Sequence, residues 1–461
     1  MLTKRNACKL DRAQTQSWNT TMSRLTSVRE VARRKEVQPF TAIAHHITPE
    51  LLRESFKKLS RRAAPGVDGE VWTTYDENRD NQLIDLHARL KDGRYKPKPA
   101  RRVFIAKEDG TDRPLSIQCL EDKIVQAAVV TLLNEIYEVE FLGFSYGFRP
   151  NRSQHDALDT LAYSVGNKNV NWVLDLDIEK FFDTVEHDWL IQMIQQRVKD
   201  KKIISLIRRW IKVGIVDEQG KRKSATCGIP QGSVISPLLA NIYLHYVFDL
   251  WTNQWRRKYA KGEVIVVRYA DDSVLGFKYH KDAIGYLKAL GQRVAKFGLA
   301  VHPKKTQLIR FGRFAVMQCA ERKLGKPKTF EFLGFTHYCS TTRNGKFKVG
   351  RRTSKRRLIK RIRAIQIELR RRMHTSVKET VQWLKLVIQG HFNYFGVPGN
   401  TDQLAFFKDE LVKRFFKMLR RRSQRSKIKW NTFGPLMNRL LPSPRAVHPY
   451  PERRFRAKHS R

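Results

Sequence analysis

Two short stretches of this chain place carboxylates where they could do chemistry. Asp271 and Asp272 are adjacent in RYADDSVLGF (268–277), and Asp175 and Asp177 alternate in NWVLDLDI (171–178). Turn chemistry alone explains many Asp-Asp pairs, because Asp tolerates turn dihedrals and hydrogen-bonds its own backbone. A divalent cation is the other explanation, since it takes oxygen ligands and relieves repulsion between neighbouring carboxylates. A strand ending in Asp177 and a hairpin tipped by Asp271 and Asp272 can bring three carboxylates to one point of a sheet. Such a cluster is costly unless cations occupy it. Two Mg²⁺ ions about 3.5–4 Å apart, with Mn²⁺ as a substitute, are the standard arrangement for in-line attack at phosphorus.

The elements that must hold these groups are legible from pattern. Val264–Val267 and Val274–Phe277 are apolar, β-branched runs on either side of the Asp-Asp turn, as a hairpin requires. In 171–178 the alternation of a strand puts Asp175 and Asp177 on one face. Residues 94–117 read as two strands around the turn Glu108-Asp109-Gly110, with Arg101, Lys107 and Arg113 spaced six apart across them. The segment 228–251 reads as a loop entering a long helix, with Ser236 as the cap and Pro237 in its first turn. Helices are also expected from Thr48-Pro49-Glu50 with a stripe of Leu52, Phe56 and Leu59, through about 138, over 187–213 and up to about Phe297. FEFLGF at 330–335 reads as a strand.

Composition sets the partner. Over 461 residues, 90 Lys and Arg face 44 Asp and Glu, a net charge of +46 and a pI near 10.4. A polyanion is the natural counterpart, because each phosphate contact by Lys or Arg releases condensed counterions. Charge is concentrated late: from Ser340 to Arg461 there are 33 basic and 6 acidic residues. There Leu358, Ile362, Ile365 and Leu369 form one helical face, with Arg356, Lys360 and Arg363 opposite. Val377, Val381, Leu384 and Ile388 mark a second helix and Leu404, Phe407, Leu411 and Phe415 a third, with a break at Gly396–Gly399. Apolar residues at 41% exclude disorder as the default, and no run of roughly 18 apolar residues suggests a membrane span. The N-terminus has no apolar signal region, so a bacterial cytoplasmic location is expected, nucleoid-associated when bound to DNA. Cys8, Cys119, Cys227, Cys319 and Cys339 are scattered and give neither a disulfide framework nor a zinc site.

Eight blocks in order, AAPGVDG, AKEDGTDRPLSI, SYGFRPNRSQHDAL, DLDIEKFFDTVEHDWL, GIPQGSVISPLLANIYL, RYADDSVLGF, FGLAVHPKKT and FEFLGF, resemble the reverse transcriptases encoded by bacterial group II introns. The resemblance covers about residues 48 to 335, and the basic helical region after it is similar to the thumb and maturase domain. It implies an α+β fold: a right-hand polymerase whose fingers and palm carry an antiparallel sheet with the Asp cluster, then an α-helical thumb. The implied domains are a basic N-terminal extension (1–47), fingers and palm (48–335), a thumb/maturase or X domain (336–425) and a basic C-terminal tail (426–461) with DNA binding as its candidate role.

The resemblance also implies roles. Asp177, Asp271 and Asp272 match the catalytic metal ligands, with the carbonyl of Ile178 as a backbone ligand. Asp175 shares a face with Asp177, but the family pattern places the ligand immediately before Ile178. Phe182 matches the aromatic steric gate against a 2′-hydroxyl, and Gln231 the residue beside the nascent base pair. Arg101, Lys107 and Arg113 match fingertip residues that grip the triphosphate, and Lys305 a lysine near the leaving pyrophosphate. Ser273 departs from the bulky apolar residue usual after the aspartates. Implied partners are structured intron RNA, an RNA template–DNA primer duplex, target DNA and dNTPs, with no membrane; the oligomeric state is not readable. The activity implied is an RNA-directed DNA polymerase that also assists splicing. Two alternatives compete: a free-standing reverse transcriptase used in defence or repair, and an RNA-binding maturase without polymerase activity. The retained aspartates argue against the latter.

Overall fold

The computed structural model describes residues 20–34, 38–106, 112–217, 220–223, 226–422 and 427–459. Lys107, the Glu108-Asp109-Gly110 turn and Cys8 lie outside the described residues. The remaining four cysteines are free thiols, with Cys119 and Cys319 buried and Cys227 exposed.

Two helices show how local sequence sets the frame. In Pro49–Lys58 the Thr48 side chain accepts from the Leu51 N–H, Pro49 opens the first turn, and Leu52 and Phe56 are buried. Leu59, the capping residue just past the last turn, is partly buried and packs against the same core, completing the stripe. Leu120–Tyr137 is apolar on nearly every side and runs through the interior, as an all-round apolar helix must. Both belong to one continuous core that also takes in the helices at His187–Gln195 and Lys201–Lys212.

Among the described residues, eleven strands make three sheets. The strands are β1 (Ala100–Ala106), β2 (Asp112–Ile117), β3 (Trp172–Leu176), β4 (Ile215–Val216), β5 (Arg222–Lys223), β6 (Val264–Tyr269), β7 (Asp272–Phe277), β8 (Gln307–Arg310), β9 (Phe330–Phe332), β10 (Phe335–Thr341) and β11 (Phe347–Thr353). A four-stranded antiparallel sheet has the order β6-β7-β3-β8 and carries the Asp-rich segments. The β1–β2 hairpin extends through β4 and β5 into a second sheet, and β11-β10-β9 form the third.

Three expectations need correction. The helix at Ser236–Leu244 begins at Ser236 itself, with Ile235 in the capping position and no side-chain cap; the Ser236 hydroxyl donates to the Pro230 carbonyl at 2.8 Å instead. That helix continues to Lys258, but only through a π-helical turn at His245–Asp249, which accommodates an extra residue on the inner side. FEFLGF is two strands rather than one, because Leu333 and Gly334 both take positive φ and turn β9 into β10. The third sheet therefore runs across the 335/336 position that the sequence suggested as a domain boundary.

The basic C-terminal quarter folds as its stripes demand. In the helices Lys355–Arg371, Val377–Phe395 and Thr401–Arg420, the residues Leu358, Ile362, Ile365, Leu369, Leu384, Ile388, Leu404, Phe407, Leu411 and Phe415 share one core. The sequence showed only a proline-broken tail after residue 425, yet Trp430–Leu440 is a further helix that adds Phe433 and Met437 to this core. The chain then returns toward the N-terminal half. The N–H groups of Val447 and His448 both donate to the Gly396 carbonyl, at 2.8 and 3.0 Å. A last helix, Pro451–His459, lies along Gln154–Asn167. There Arg454 pairs with Asp159 at 3.2 Å, Lys458 with Asp156 at 2.6 Å, and the rings of Phe455 and Tyr163 stack at 4.2 Å. Among the described residues, no helix is long and apolar enough to cross a membrane.

Candidate active site

Strand register assembles the carboxylates. β3 pairs with β7 so that Leu176 faces Ser273 and Asp175 faces Val274. Opposed residues of an antiparallel pair share a face, so Asp175 and Asp272, two residues from Val274, lie on one side of the sheet, and Asp177, the residue after β3, is close enough for its charge to bear on both. Ser273 points to the other side, where its β6 partner is Arg268. Ser273 is therefore buried beneath the sheet, away from the acidic face. Between the paired residues Tyr269 and Asp272, the turn is just Ala270 and Asp271. Ala270 sits at φ 57°, a left-handed conformation that costs a non-glycine residue roughly 1 kcal/mol and is retained by its surroundings.

The shared face is crowded with like charge. Asp272 is exposed at its surface, but the protein packed around it desolvates the carboxyl; that desolvation, with the neighbouring charges of Asp271 and Asp177, pushes its pKa up to about 6. Burial raises Asp271 as well, with the charge of Asp177 adding to it and those of Arg113 and Arg268 opposing. Asp175 is pushed up to about 7 by burial, then by Asp272, Asp177 and Glu331. Lys305 pairs with Asp177 at 3.2 Å, and the Asp177 backbone is pinned by its carbonyl accepting from the His302 N–H at 2.8 Å. Hard oxygen donors with uncompensated negative charge suit a divalent cation such as Mg²⁺. Among the described residues, no three such side chains converge tightly enough to form a ready-made cage.

The nucleotide-binding expectations divide between two sides of the β1–β2 hairpin. Phe182 and Gln231 line one cleft of about 300 Å³ together with Arg102, Pro114 and Ser116. The Gln231 carbonyl accepts from the Ser116 N–H at 2.6 Å, tying the Pro230-Gln231-Gly232 loop to β2. Gly232 has φ 99°, and a Cβ there would stand 2.9 Å from the Ser116 carbonyl oxygen, so only glycine closes this contact. Phe182 is half-buried against the main core, and its carbonyl accepts from the Ile229 N–H at 2.7 Å. Arg101 and Arg113 share the opposite face, since Arg113 pairs with Ile105 four residues from Arg101. Arg113 is the one whose charge reaches Asp271, whereas Arg101 donates to the Pro65 carbonyl at 3.0 Å.

On the helical domain, Arg356, Lys360 and Arg363 are exposed while the Leu358 stripe is buried, as the pattern required. His391 is structural: it is buried and stacks on Phe407 at 3.8 Å. Two basic residues escaped the sequence reading. Arg357, next to the named Arg356, is the one whose positive charge bears on Asp272. Arg268 is wholly buried beneath the hairpin. Its signal was present: an arginine ending the apolar run VIVVRY must find a buried partner.

Comparison with known proteins follows the same lines. Residues 105–337, about half of the chain, match the reverse transcriptase (RNA-dependent DNA polymerase) family. Protein YkfC of Escherichia coli (strain K12) is 37% identical over 272 residues, covering 51% of this chain and 71% of that protein. Group II intron-encoded protein LtrA of Lactococcus lactis subsp. cremoris is 34% identical over 241 residues, 52% of this chain and 40% of that protein. A putative COX1/OXI3 intron 1 protein of Saccharomyces cerevisiae is 33% identical over 215 residues, 47% of this chain and 25% of that protein. The chain thus spans well under half the length of both intron proteins. With its mixed α+β architecture and acidic sheet face, the chain belongs to the reverse transcriptase family, and its relatives there include group II intron-encoded proteins.

Proposed function

We propose that this protein is an RNA-directed DNA polymerase of the group II intron kind, copying intron RNA into DNA and assisting its splicing as a maturase. The observation that supports the polymerase reading is that β3 runs out at Leu176 opposite Ser273, beside the Asp271-Asp272 turn, where the charge of Asp177 bears on both aspartates. The carboxylates of Asp177, Asp271 and Asp272, with the Ile178 carbonyl, would hold two Mg²⁺ ions, with Mn²⁺ able to replace them. Bound there, the metals supply activation of a primer 3′-hydroxyl and neutralisation of the leaving pyrophosphate.

The chain's own groups do the positioning. Lys305, already at the rim of the acidic face, is placed to meet the pyrophosphate once a cation takes over Asp177. Arg113 extends the positive potential of the fingers toward the same point, with Arg101 and Lys107 as further triphosphate contacts; guanidinium forks suit phosphate oxygens. Phe182 and Gln231 shape the cleft that receives sugar and base, and a 2′-hydroxyl is the group the Phe182 ring would exclude. Arg356, Lys360 and Arg363 form the basic face for structured RNA and for the template–primer duplex. Target DNA is a further polyanionic partner, and the basic tail a candidate contact for it.

The test is extension of a DNA primer on an RNA template by the purified chain with Mg²⁺ and dNTPs, beside a splicing assay with intron RNA. Extension and splicing together support the proposal. Splicing without extension would favour an RNA-binding maturase, and extension without any intron RNA binding a free-standing reverse transcriptase.

A further inference from the structure

We propose that Arg268 is a positioning residue that fixes the catalytic turn, so that the two adjacent aspartates present their carboxylates together. This rests on the reading of those aspartates as metal ligands. Arg268 is 1% exposed, and a guanidinium so deep in the protein is tolerated only if its five donors are all engaged. They are. Nε and Nη2 grip the two Asp249 carboxylate oxygens at 2.7 and 2.5 Å. Nη2 also donates to the Ser145 hydroxyl at 2.7 Å. Nη1 donates to the Asn241 side-chain oxygen at 3.0 Å and to the Ala270 carbonyl at 2.9 Å.

The last of these bonds connects the network to chemistry. Ala270 is the first of the two turn residues and Asp271 the second, so the Ala270 carbonyl is part of the peptide that leads into Asp271. The other bonds hold the fork still. Asn241 comes from the Ser236–Leu244 helix and Asp249 from the π-helical turn, which brings it under the sheet. Ser145 comes from a segment that runs parallel to β6, bridging at Arg268 itself and continued by the Tyr146 N–H donating to the Arg268 carbonyl at 2.8 Å. Next to it, Gly147 lets this segment press on the turn: a Cβ there would lie 2.3 Å from the Ala270 nitrogen. Asn241 also donates to the Gly147 carbonyl at 2.7 Å, closing the arrangement. Helix, loop and sheet therefore meet at one guanidinium, and its single bond to the turn holds Ala270 in its left-handed conformation. A buried ion pair serving stability alone would need Asp249 and nothing from the turn. Lysine has three donors about one point and cannot span Asp249 and Ala270 with the same geometry.

The test uses the full chain and Mn²⁺ as the probe, titrated by electron paramagnetic resonance without nucleic acid. Primer extension against Mg²⁺ concentration and urea denaturation run in parallel. Arg268→Lys should weaken Mn²⁺ binding ten- to a hundredfold, and raise the Mg²⁺ needed for half-maximal extension by a similar factor, as loss of a partner behind a metal ligand does. Arg351→Lys, at a buried arginine paired with Asp159 away from this turn, is the control; it should lose stability and keep its Mn²⁺ affinity. Ser145→Ala, which removes one bond to the fork, should weaken Mn²⁺ binding about threefold, and it decides the matter if Arg268→Lys does not fold. Arg268→Lys or Ser145→Ala binding Mn²⁺ as the wild type does would overturn the proposal, as would Arg351→Lys weakening it equally. A wild-type chain that binds no Mn²⁺ would overturn the metal-ligand reading itself, whatever the variants do.

Discussion

Replacing Asp159 by Asn should detach the C-terminal helix from the helix Gln154–Asn167 and cost several kcal/mol. Asp159 is 3% exposed and bridges two cations: Arg351 of β11 at 2.6 Å, itself 2% exposed, and Arg454 of the last helix at 3.2 Å. Breaking a buried pair from one side leaves the partner charged and desolvated, a loss of about 3–5 kcal/mol. That is a large share of the roughly 5–15 kcal/mol that keeps a domain folded. Asp156→Asn is the internal comparison. Its partner Lys458 is nearly half exposed, so the ion pair contributes about 1 kcal/mol or less, and most of its cost should come from the Ser153–Asp156 capping box. Removing both buried charges, as in Asp159→Leu with Arg351→Met, should recover most of that loss, because only the partly exposed Arg454 is then left without its partner. Urea denaturation of the four proteins measures the cost. Limited proteolysis across residues 442–450 reports whether the tail has come away. A cost below about 1 kcal/mol for Asp159→Asn, or a double variant less stable than Asp159→Asn, would refute the reasoning.

Other outcomes follow from single interactions. His155 stacks on His448 at 3.7 Å and is held down to about 3, first by burial and then by the charges of His448, Arg454 and Arg351. Its folded pKa lies below the unfolded value, so the unfolded state takes up the proton first. The stability this represents is present above about pH 6.5 and is lost as pH falls toward 3, at up to roughly 1.4 kcal/mol per pH unit. His155→Phe should make the acid slope of stability shallower by about one proton, and an unchanged slope would contradict the placement. Phe182→Ala should raise ribonucleotide incorporation relative to deoxyribonucleotide in a competition assay; equal discrimination with activity retained would return this ring to a packing role. Changing Arg356, Lys360 and Arg363 to Gln should flatten the fall of log RNA affinity with log salt, by roughly 0.7–0.9 for each phosphate that is no longer neutralised, and impair splicing. An unchanged slope would remove this face from the RNA-binding surface.

What the sequence disclosed tracks how local the physics is. The 3.6-residue stripe of Leu358, Ile362, Ile365 and Leu369 and the two-residue alternation of Asp175 and Asp177 were readable, because each is set by backbone geometry within one element. The Asp271-Asp272 hairpin was readable for the same reason. Misreadings came where a distant group decided the outcome. Ser236 has the right type for a cap, but the Pro230 carbonyl takes its hydroxyl. FEFLGF has strand residues throughout, yet Leu333 and Gly334 turn so that β9 can pair with β10. Arg454 and Lys458 fall in the basic tail that was expected to bind DNA, and only the tertiary fold shows them paired with Asp159 and Asp156. The Arg268 network was the hardest to see, since its partners are 19, 27 and 123 residues away.

The most direct measurement is single-turnover primer extension by Asp271→Asn on an RNA template with saturating Mg²⁺, set beside its RNA affinity. Asn keeps the shape of the turn but removes the carboxylate charge. The expected loss is about a thousandfold or more in rate, equivalent to roughly 4 kcal/mol of transition-state stabilisation, with RNA binding and splicing near those of the wild type. Extension within a few fold of the wild-type rate would contradict the assignment of the acidic face as the catalytic centre.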